Sequence, residues 1–246
     1  MKTGKRIAIL QSNYIPWKGY FDLIHLVDEF ILLDTVQYTR RDWRNRNKIK
    51  SPDGLLWLTI PIHVKGRFEQ RIGEAAIQDP TWAERHWKTL QHCYARAPYF
   101  DLYAECIQEL YLTTASQSLS EVNHRFITAI CSLLDISTPL TWAQADPGLQ
   151  KTERLVYLCQ RAGATEYLSG PAARAYIDER RFAEAGIALS YMDYSGYPPY
   201  AQLYPPFEGG VSVLDLLFHT GPAAQRYMKS FPLATFSSAT ATPVWA

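Results

Sequence analysis

The sequence predicts an α/β protein with a Rossmann-like, doubly wound and mainly parallel sheet, and three observations carry that expectation. Residues 6–11 (Arg-Ile-Ala-Ile-Leu-Gln) form a short apolar run that stops at polar and proline punctuation, as a buried strand entering a loop does. Behind it, Tyr20, Leu23, Ile24 and Val27 recur at helical spacing, and residues 29–33 (Glu-Phe-Ile-Leu-Leu) form a second apolar run. A strand, helix, strand unit of this kind favours parallel, right-handed pairing. The alternation returns near the other end, where 152–161, 166–168, 172–185 and 187–191 read as helix, strand, helix and strand. Two such units make a doubly wound sheet the simplest architecture.

The middle of the chain has a different texture. Residues 55–64 (Leu-Leu-Trp-Leu-Thr-Ile-Pro-Ile-His-Val) read as a strand, whereas 82–94, 101–113 and 120–134 carry helical periodicity with few breakers. The expectation is one domain over 1–246, with a helical insertion at about 80–136 and a flexible tail at about 232–246, where the sequence is small, polar and unpatterned. A length of 246 residues, 47% hydrophobic and 20% charged, fits a single core. Twenty-five basic against twenty-four acidic residues leave a net charge of +1, so no global field recruits nucleic acid or an anionic membrane, and anion binding has to be local. Cys93, Cys106, Cys131 and Cys159 stand singly in helical segments, without zinc or redox spacing, and read as small buried hydrophobes. The opening residues carry no signal-peptide core and no apolar stretch approaches about 18 residues, so a cytoplasmic location without membrane insertion is expected.

Polar and aromatic residues are densest between Gln11 and Ile49. In a parallel α/β sheet the loops after the strands share the carboxyl edge, so the loop from Gln11 to Lys18 and the segment from Asp34 to Tyr38 are expected to meet there as one site. Gly19 opens a helix whose free amides suit a phosphate, with Lys18 beside it and Tyr20 behind, although a lone Lys-Gly is weak by itself. Arg40, Arg41, Arg44, Arg46 and Lys48 enclose Trp43, Asn45 and Asn47. Such a run clamps phosphate while the tryptophan stacks on a base or sugar, or it is only a solvated turn; its position beside a strand end favours the clamp. Asp34 and His25 are the general-base candidates, and each has a blander reading, Asp34 as a binding carboxylate and His25 as a packed core residue. Ser169 and Gly170 end a later strand on the same edge and either line the pocket or form a plain strand-to-helix turn. Ser212 reads as an N-cap with Asp215 as its capping-box partner, and Asp215 also as a buried partner for an arginine. No spacing of histidines, acids or cysteines forms a metal motif.

The string Ile-Leu-Gln-Ser-Asn-Tyr-Ile-Pro-Trp-Lys-Gly-Tyr-Phe-Asp-Leu-Ile at 9–24 continues through Leu-Leu-Asp-Thr-Val-Gln-Tyr and Trp-Arg-Asn-Arg-Asn-Lys-Ile. With Trp-Leu-Thr-Ile-Pro-Ile at 57–62, Tyr-Leu-Ser-Gly at 167–170, Tyr200 with Gln202, and Val-Ser-Val-Leu-Asp-Leu-Leu-Phe at 211–218, it resembles the WbqC-like family, named for a protein of bacterial O-antigen gene clusters. That resemblance implies a place in surface-polysaccharide or modified-sugar pathways. A more distant likeness is to the His-x-Gly-His nucleotidylyltransferases, where Trp17-Lys18-Gly19-Tyr20 occupies the signature's place without its histidines. In the pantothenate synthetase branch of that class a glutamine contacts the acid substrate, and Gln37 within Asp34-Thr35-Val36-Gln37-Tyr38 resembles it. This likeness implies a catalytic-site role for Gln37, beside the general-base candidates Asp34 and His25.

Two functions compete at this point. In the first, a transferase binds a nucleotide, a nucleotide-activated sugar or a similar phosphorylated or acyl-activated substrate. Lys18, Arg40, Arg41, Arg44 and Lys48 would hold phosphate, Trp17, Tyr38 or Trp43 would stack on the ring, and Gln11, Asn13, Asn45, Asp34 and Gln37 would position the acceptor. In the second, the same cleft serves a non-catalytic binding or scaffold protein that recognises a biosynthetic carrier or partner. The expected partner is a small-molecule or carrier-bound substrate, and assembly into a homo-oligomer stays open.

Overall fold

The structure is a computed structural model that describes residues 4–144 and 148–231. Its centre is a five-stranded sheet in which every neighbouring pair is parallel. The strands are β1 (Arg6–Leu10), β2 (Glu29–Leu32), β5 (Leu140–Trp142), β6 (Glu166–Ser169) and β7 (Ala188–Tyr191), in the order β5-β2-β1-β6-β7. Between β1 and β2 runs α1 (Lys18–His25), and Ile7 pairs with Glu29 through Leu10 with Leu32 in the expected parallel register. The chain winds outward one way from β1 and the other way from β6, so the order reverses between these two strands. This is the Rossmann-like, doubly wound α/β arrangement, with its switch point beside the central strand.

Side chains alternate across the central strands and divide the core in two. Ala8, Phe30 and Leu32 pack on the face covered by α1, by three helices that precede β5, and by α7 (Val213–Thr220). The three are α2 (Trp82–Tyr94), α3 (Phe100–Leu112) and α4 (Leu119–Leu133), close to the expected spans. Ile7, Ile9, Ile31 and Leu33 pack on the opposite face against α5 (Lys151–Arg161) and α6 (Glu179–Glu184). Burial on both faces explains why β1 and β2 read as unbroken apolar runs rather than alternating ones.

Four local expectations are corrected. The helix expected over 172–185 is broken into a 3-10 turn, Pro171–Ala175, and the short α6, because Asp178 starts a new helix by accepting the Arg180 N–H. The strand expected over 55–64 ends early, as β4 (Gly54–Thr59), since Pro61 has no N–H to extend the ladder. It pairs with β3 (Arg46–Ser51) in a separate antiparallel hairpin, so the end of the basic run is a strand and not a turn. Among the described residues Asp215 meets no arginine: the phenols of Tyr94 and Tyr200 and the amide of Gln202 donate to its carboxylate at 2.9, 2.8 and 2.7 Å. Ser212 does cap α7, accepting from the Leu214 N–H. The four cysteines are unpaired, and no helix among the described residues is long and apolar enough to cross a membrane. The tail expected at 232–246 lies outside the described residues.

Candidate functional site

The loop after β1 is held down from three sides. Asn47 of β3 donates its side-chain amide to the carbonyls of Tyr14 and Ile15 at 3.2 and 2.8 Å, the Tyr14 N–H bonds to the Trp43 carbonyl, and the Val213 N–H to that of Pro16. These contacts over-determine a strained backbone, since the β-branched Ile15 sits at φ 35°. The loop therefore presents Gln11, Ser12 and Asn13 in a fixed arrangement at the carboxyl edge.

A polar cluster forms around it. Asp34, at the end of β2, is buried; its carboxylate accepts the Ser12 N–H at 2.9 Å and the hydroxyl of Ser120 from the first turn of α4. Asn123, one turn further along α4, donates to the Ser12 hydroxyl at 3.0 Å and to the Arg44 carbonyl at 2.9 Å, leaving its own Oδ1 unpartnered among the described residues. The Arg44 guanidinium donates to Oδ1 of Asn13 and lies 3.6 Å from Asp42. Tyr20 reaches in from α1 and donates its phenol to the Gln11 carbonyl at 2.9 Å. Burial pushes that phenol well above its ordinary pKa, Asp34 adds to the rise and Arg44 opposes it, so both charges act on one hydroxyl.

Beside Asp34 an open cavity of about 370 Å³ lies between the ends of β2 and β5 and the start of α4. Asp34, Thr35, Ser118, Ser120, Glu121 and Trp142 line it. The Trp142 indole donates to the Ser120 hydroxyl at 3.1 Å and stacks on His124 with 4.2 Å between ring centres. Desolvation lowers the His124 pKa against the opposing pull of Asp34, which favours the neutral imidazole. A second depression, lined by Glu179, Arg180 and Gly186, lies at the far edge beside β7, away from these groups.

Among the residues expected at the site, the fold brings together Gln11, Asn13, Tyr20, Asp34 and Arg44. Lys18 is buried elsewhere: its ammonium donates to the Pro198 carbonyl at 3.3 Å and lies 4.8 and 5.3 Å from the ring centres of Tyr197 and Tyr200. Trp17 packs edge-on against Tyr194 and Tyr197, and its indole occupies the space a β-carbon on Gly19 would need, 2.4 Å away. Arg40 lies over the Phe68 ring and donates to the Val64 carbonyl, while Gln37 donates to the Phe68 carbonyl, so both face the 62–72 loop. Tyr38 is buried nearby, its phenol raised to about 12 by desolvation. Arg41 is exposed at φ 58°. Trp43 lies against Trp57 of the hairpin, tilted by 36° with 5.3 Å between ring centres, and Arg46 and Lys48 are beside them. Asn45 is buried, donating to the Ile60 carbonyl. Ser169 is buried at the end of β6, with Gly170 following at the switch-point edge. His25 ends α1, which runs back from the carboxyl edge, and there it stacks on Phe231 at 4.0 Å and bonds to Ser230. Sequence reasoning missed Ser120, Asn123 and Trp142 as members of the cluster, because they come from α4 and β5 and no local pattern links them to Asp34.

Fold and site together define a doubly wound α/β protein with a carboxylate-centred cleft over the carboxyl ends of its first two strands. The chain belongs to the WbqC-like protein family, whose family model matches residues 11–227. It is 52% identical over 229 residues to the uncharacterized protein Rv1507c of Mycobacterium tuberculosis, covering 92% of this chain and 98% of that one. No solved structure matches the chain.

Proposed function

We propose that the protein is a group-transfer enzyme acting on a nucleotide, a nucleotide-activated sugar or a similarly phosphorylated or acyl-activated substrate, in surface-polysaccharide or specialised-metabolite biosynthesis. The observation that carries this reading is the sheet order β5-β2-β1-β6-β7 with the Asn13–Arg44 pair and Asp34 at its carboxyl edge. In open parallel sheets that edge is where ligands bind, next to the strand at which the order reverses. In the proposed reaction the acceptor hydroxyl gives its proton to Asp34 as its oxygen bonds to the activated centre. The bond to the phosphorylated leaving group breaks, its electron pair departs with the phosphate, and Arg44 balances the charge by forked hydrogen bonds.

Titration with nucleoside diphosphates and nucleotide sugars, followed by thermal unfolding, tests it. A ligand at about a hundred times its Kd raises native stability by roughly 2.7 kcal/mol. Arg44→Ala is expected to weaken binding by about 1.5 to 3 kcal/mol, the range for hydrogen bonds to charged groups. Arg44→Lys is expected to lose most of the same affinity, because an ammonium cannot supply the fork. No binding by any member of the panel, or affinity unchanged in both variants, removes the reading. The exposed, cation-flanked pair Trp43 and Trp57 favours the second reading, a scaffold for a biosynthetic carrier or partner protein. That reading gains if the panel fails.

A further inference from the structure

The cavity beside Asp34 differs in chemistry from the arginine-bearing side of the same cleft. Among the described residues that line it none is basic, and two, Asp34 and Glu121, carry carboxylates. A phosphate entering it would meet like charge with no compensating cation, so the charged end of a substrate is excluded. Carboxylates accept hydrogen bonds and donate none, so the cavity selects a ligand rich in donors. Three hydroxyl-bearing residues, Thr35, Ser118 and Ser120, also line it, and the buried Thr35 Oγ1 has no partner among the described residues.

With Gly73 and Ala143, the rest of the lining is Trp142, which is 46% exposed although it is a large apolar ring at the mouth of a cavity. Its orientation is fixed, with the indole N–H committed to Ser120 and the ring stacked on His124 at an interplanar angle of 26°. An indole held in place on one face and open to a cavity elsewhere is a platform for a flat apolar surface. A volume of about 370 Å³ is within the range of small-molecule sites. An uncharged ring with one apolar face and a rim of hydroxyl donors meets all these demands together.

We propose that this cavity is a subsite for an uncharged pyranose ring, stacked on Trp142 with its hydroxyls donating to Asp34 and Glu121. The assignment rests on the preceding reading only in placing the activated, phosphorylated half of the substrate toward Arg44, and its test does not depend on that half. A ribose carried by a nucleoside offers related chemistry, so the experiment has an arm for each. The full-length protein is titrated with a panel of neutral methyl pyranosides and, separately, with ribonucleosides, and binding is read by saturation-transfer NMR.

At least one pyranoside is expected to bind, with affinity reduced tenfold or more in Trp142→Ala and largely retained in Trp142→Phe. Glu121→Gln, at an exposed position, is expected to weaken the same ligand several-fold while thermal unfolding of the free protein changes little. The assignment is overturned if no pyranoside binds, if binding is unchanged in both Trp142→Ala and Glu121→Gln, or if only ribonucleosides bind through Trp142. A pyranoside that binds through Trp142 in a protein indifferent to nucleoside diphosphates leaves the subsite standing and removes the activated-substrate reading alone.

Discussion

Lys18 shows how a residue's surroundings can reverse the reading of its type. Beside a glycine at the start of a helix it reads as an anion binder, yet its ammonium is enclosed by Tyr197, Tyr200 and the Pro198 carbonyl. Desolvation disfavours the charged form and brings its pKa down to about 8 against the partial compensation of Asp22 and Asp215. In the unfolded chain a lysine titrates at about 10.5, so between that value and about 8 the unfolded state binds the additional proton and stability rises with pH. Below about 8 both states are protonated and the full cost of the buried charge is present. Lys18→Met, which keeps the length and removes the charge, is expected to be more stable than wild type at pH 7, by at most about 3 kcal/mol at roughly 1.4 kcal/mol per pKa unit. Its advantage should shrink between pH 8 and 10 as wild-type Lys18 loses its proton. Urea denaturation of both proteins across this window checks it, and the tyrosines common to both cancel in the difference.

At the scale of elements, the segment 194–208 has no regular structure and is fastened instead by polar anchors. Asp215 on α7 gathers Tyr94, Tyr200 and Gln202, and the Leu203 N–H donates to Nε2 of His219 at 3.0 Å. With that nitrogen accepting, the His219 proton sits on Nδ1 and is donated to the Asp215 carbonyl at 2.7 Å. Asp215→Asn turns one accepting oxygen into an amide donor facing hydroxyls that need an acceptor. The expected loss is about 1.5 to 3 kcal/mol of stability. Hydrogen exchange should accelerate across 197–208 and in α7 before it changes in β1, which distinguishes a loosened strap from uniform weakening. Tyr200, Gln202 and the 211–218 string were legible as a recurrent pattern, but their roles were not, because a buried carboxylate shared by two phenols leaves no periodic trace. The hairpin was hidden for a related reason. In β3, Arg46, Lys48 and Lys50 alternate with Asn47, Ile49 and Ser51, so only Ile49 marks the buried side by hydrophobicity.

For the molecule as a whole, the parallel unit from β1 through α1 to β2 could be read directly because burial on both faces leaves long apolar runs. β5 could not: it has three residues, all at least partly exposed, and it is specified by pairing with β2 rather than by its own pattern. The site divides along the same line. Gln11, Asn13 and Asp34 follow strands that the sequence displays, whereas Ser120 and Trp142 reach the cleft through contacts 86 and 22 positions apart in the chain. β1, paired on both sides and covered on both faces, should exchange its amides most slowly of all strands, at rates set by global unfolding. Faster exchange in β1 than in the edge strands β5 and β7 would contradict this account of the core.

One anchor bears on the order in which the chain is made. Asp22 on α1 is fully buried, and besides the Tyr197 phenol it accepts the backbone N–H groups of Lys229 and Ser230 at 2.8 to 3.1 Å. During translation α1 leaves the ribosome about two hundred residues before the donors that satisfy Asp22, and β1 must likewise wait for β6. This helix can form early but cannot bury its carboxylate without cost until residues 229 and 230 have emerged. Completion of the β1–α1–β2 unit is therefore deferred until a segment two hundred positions further along the chain is available to it.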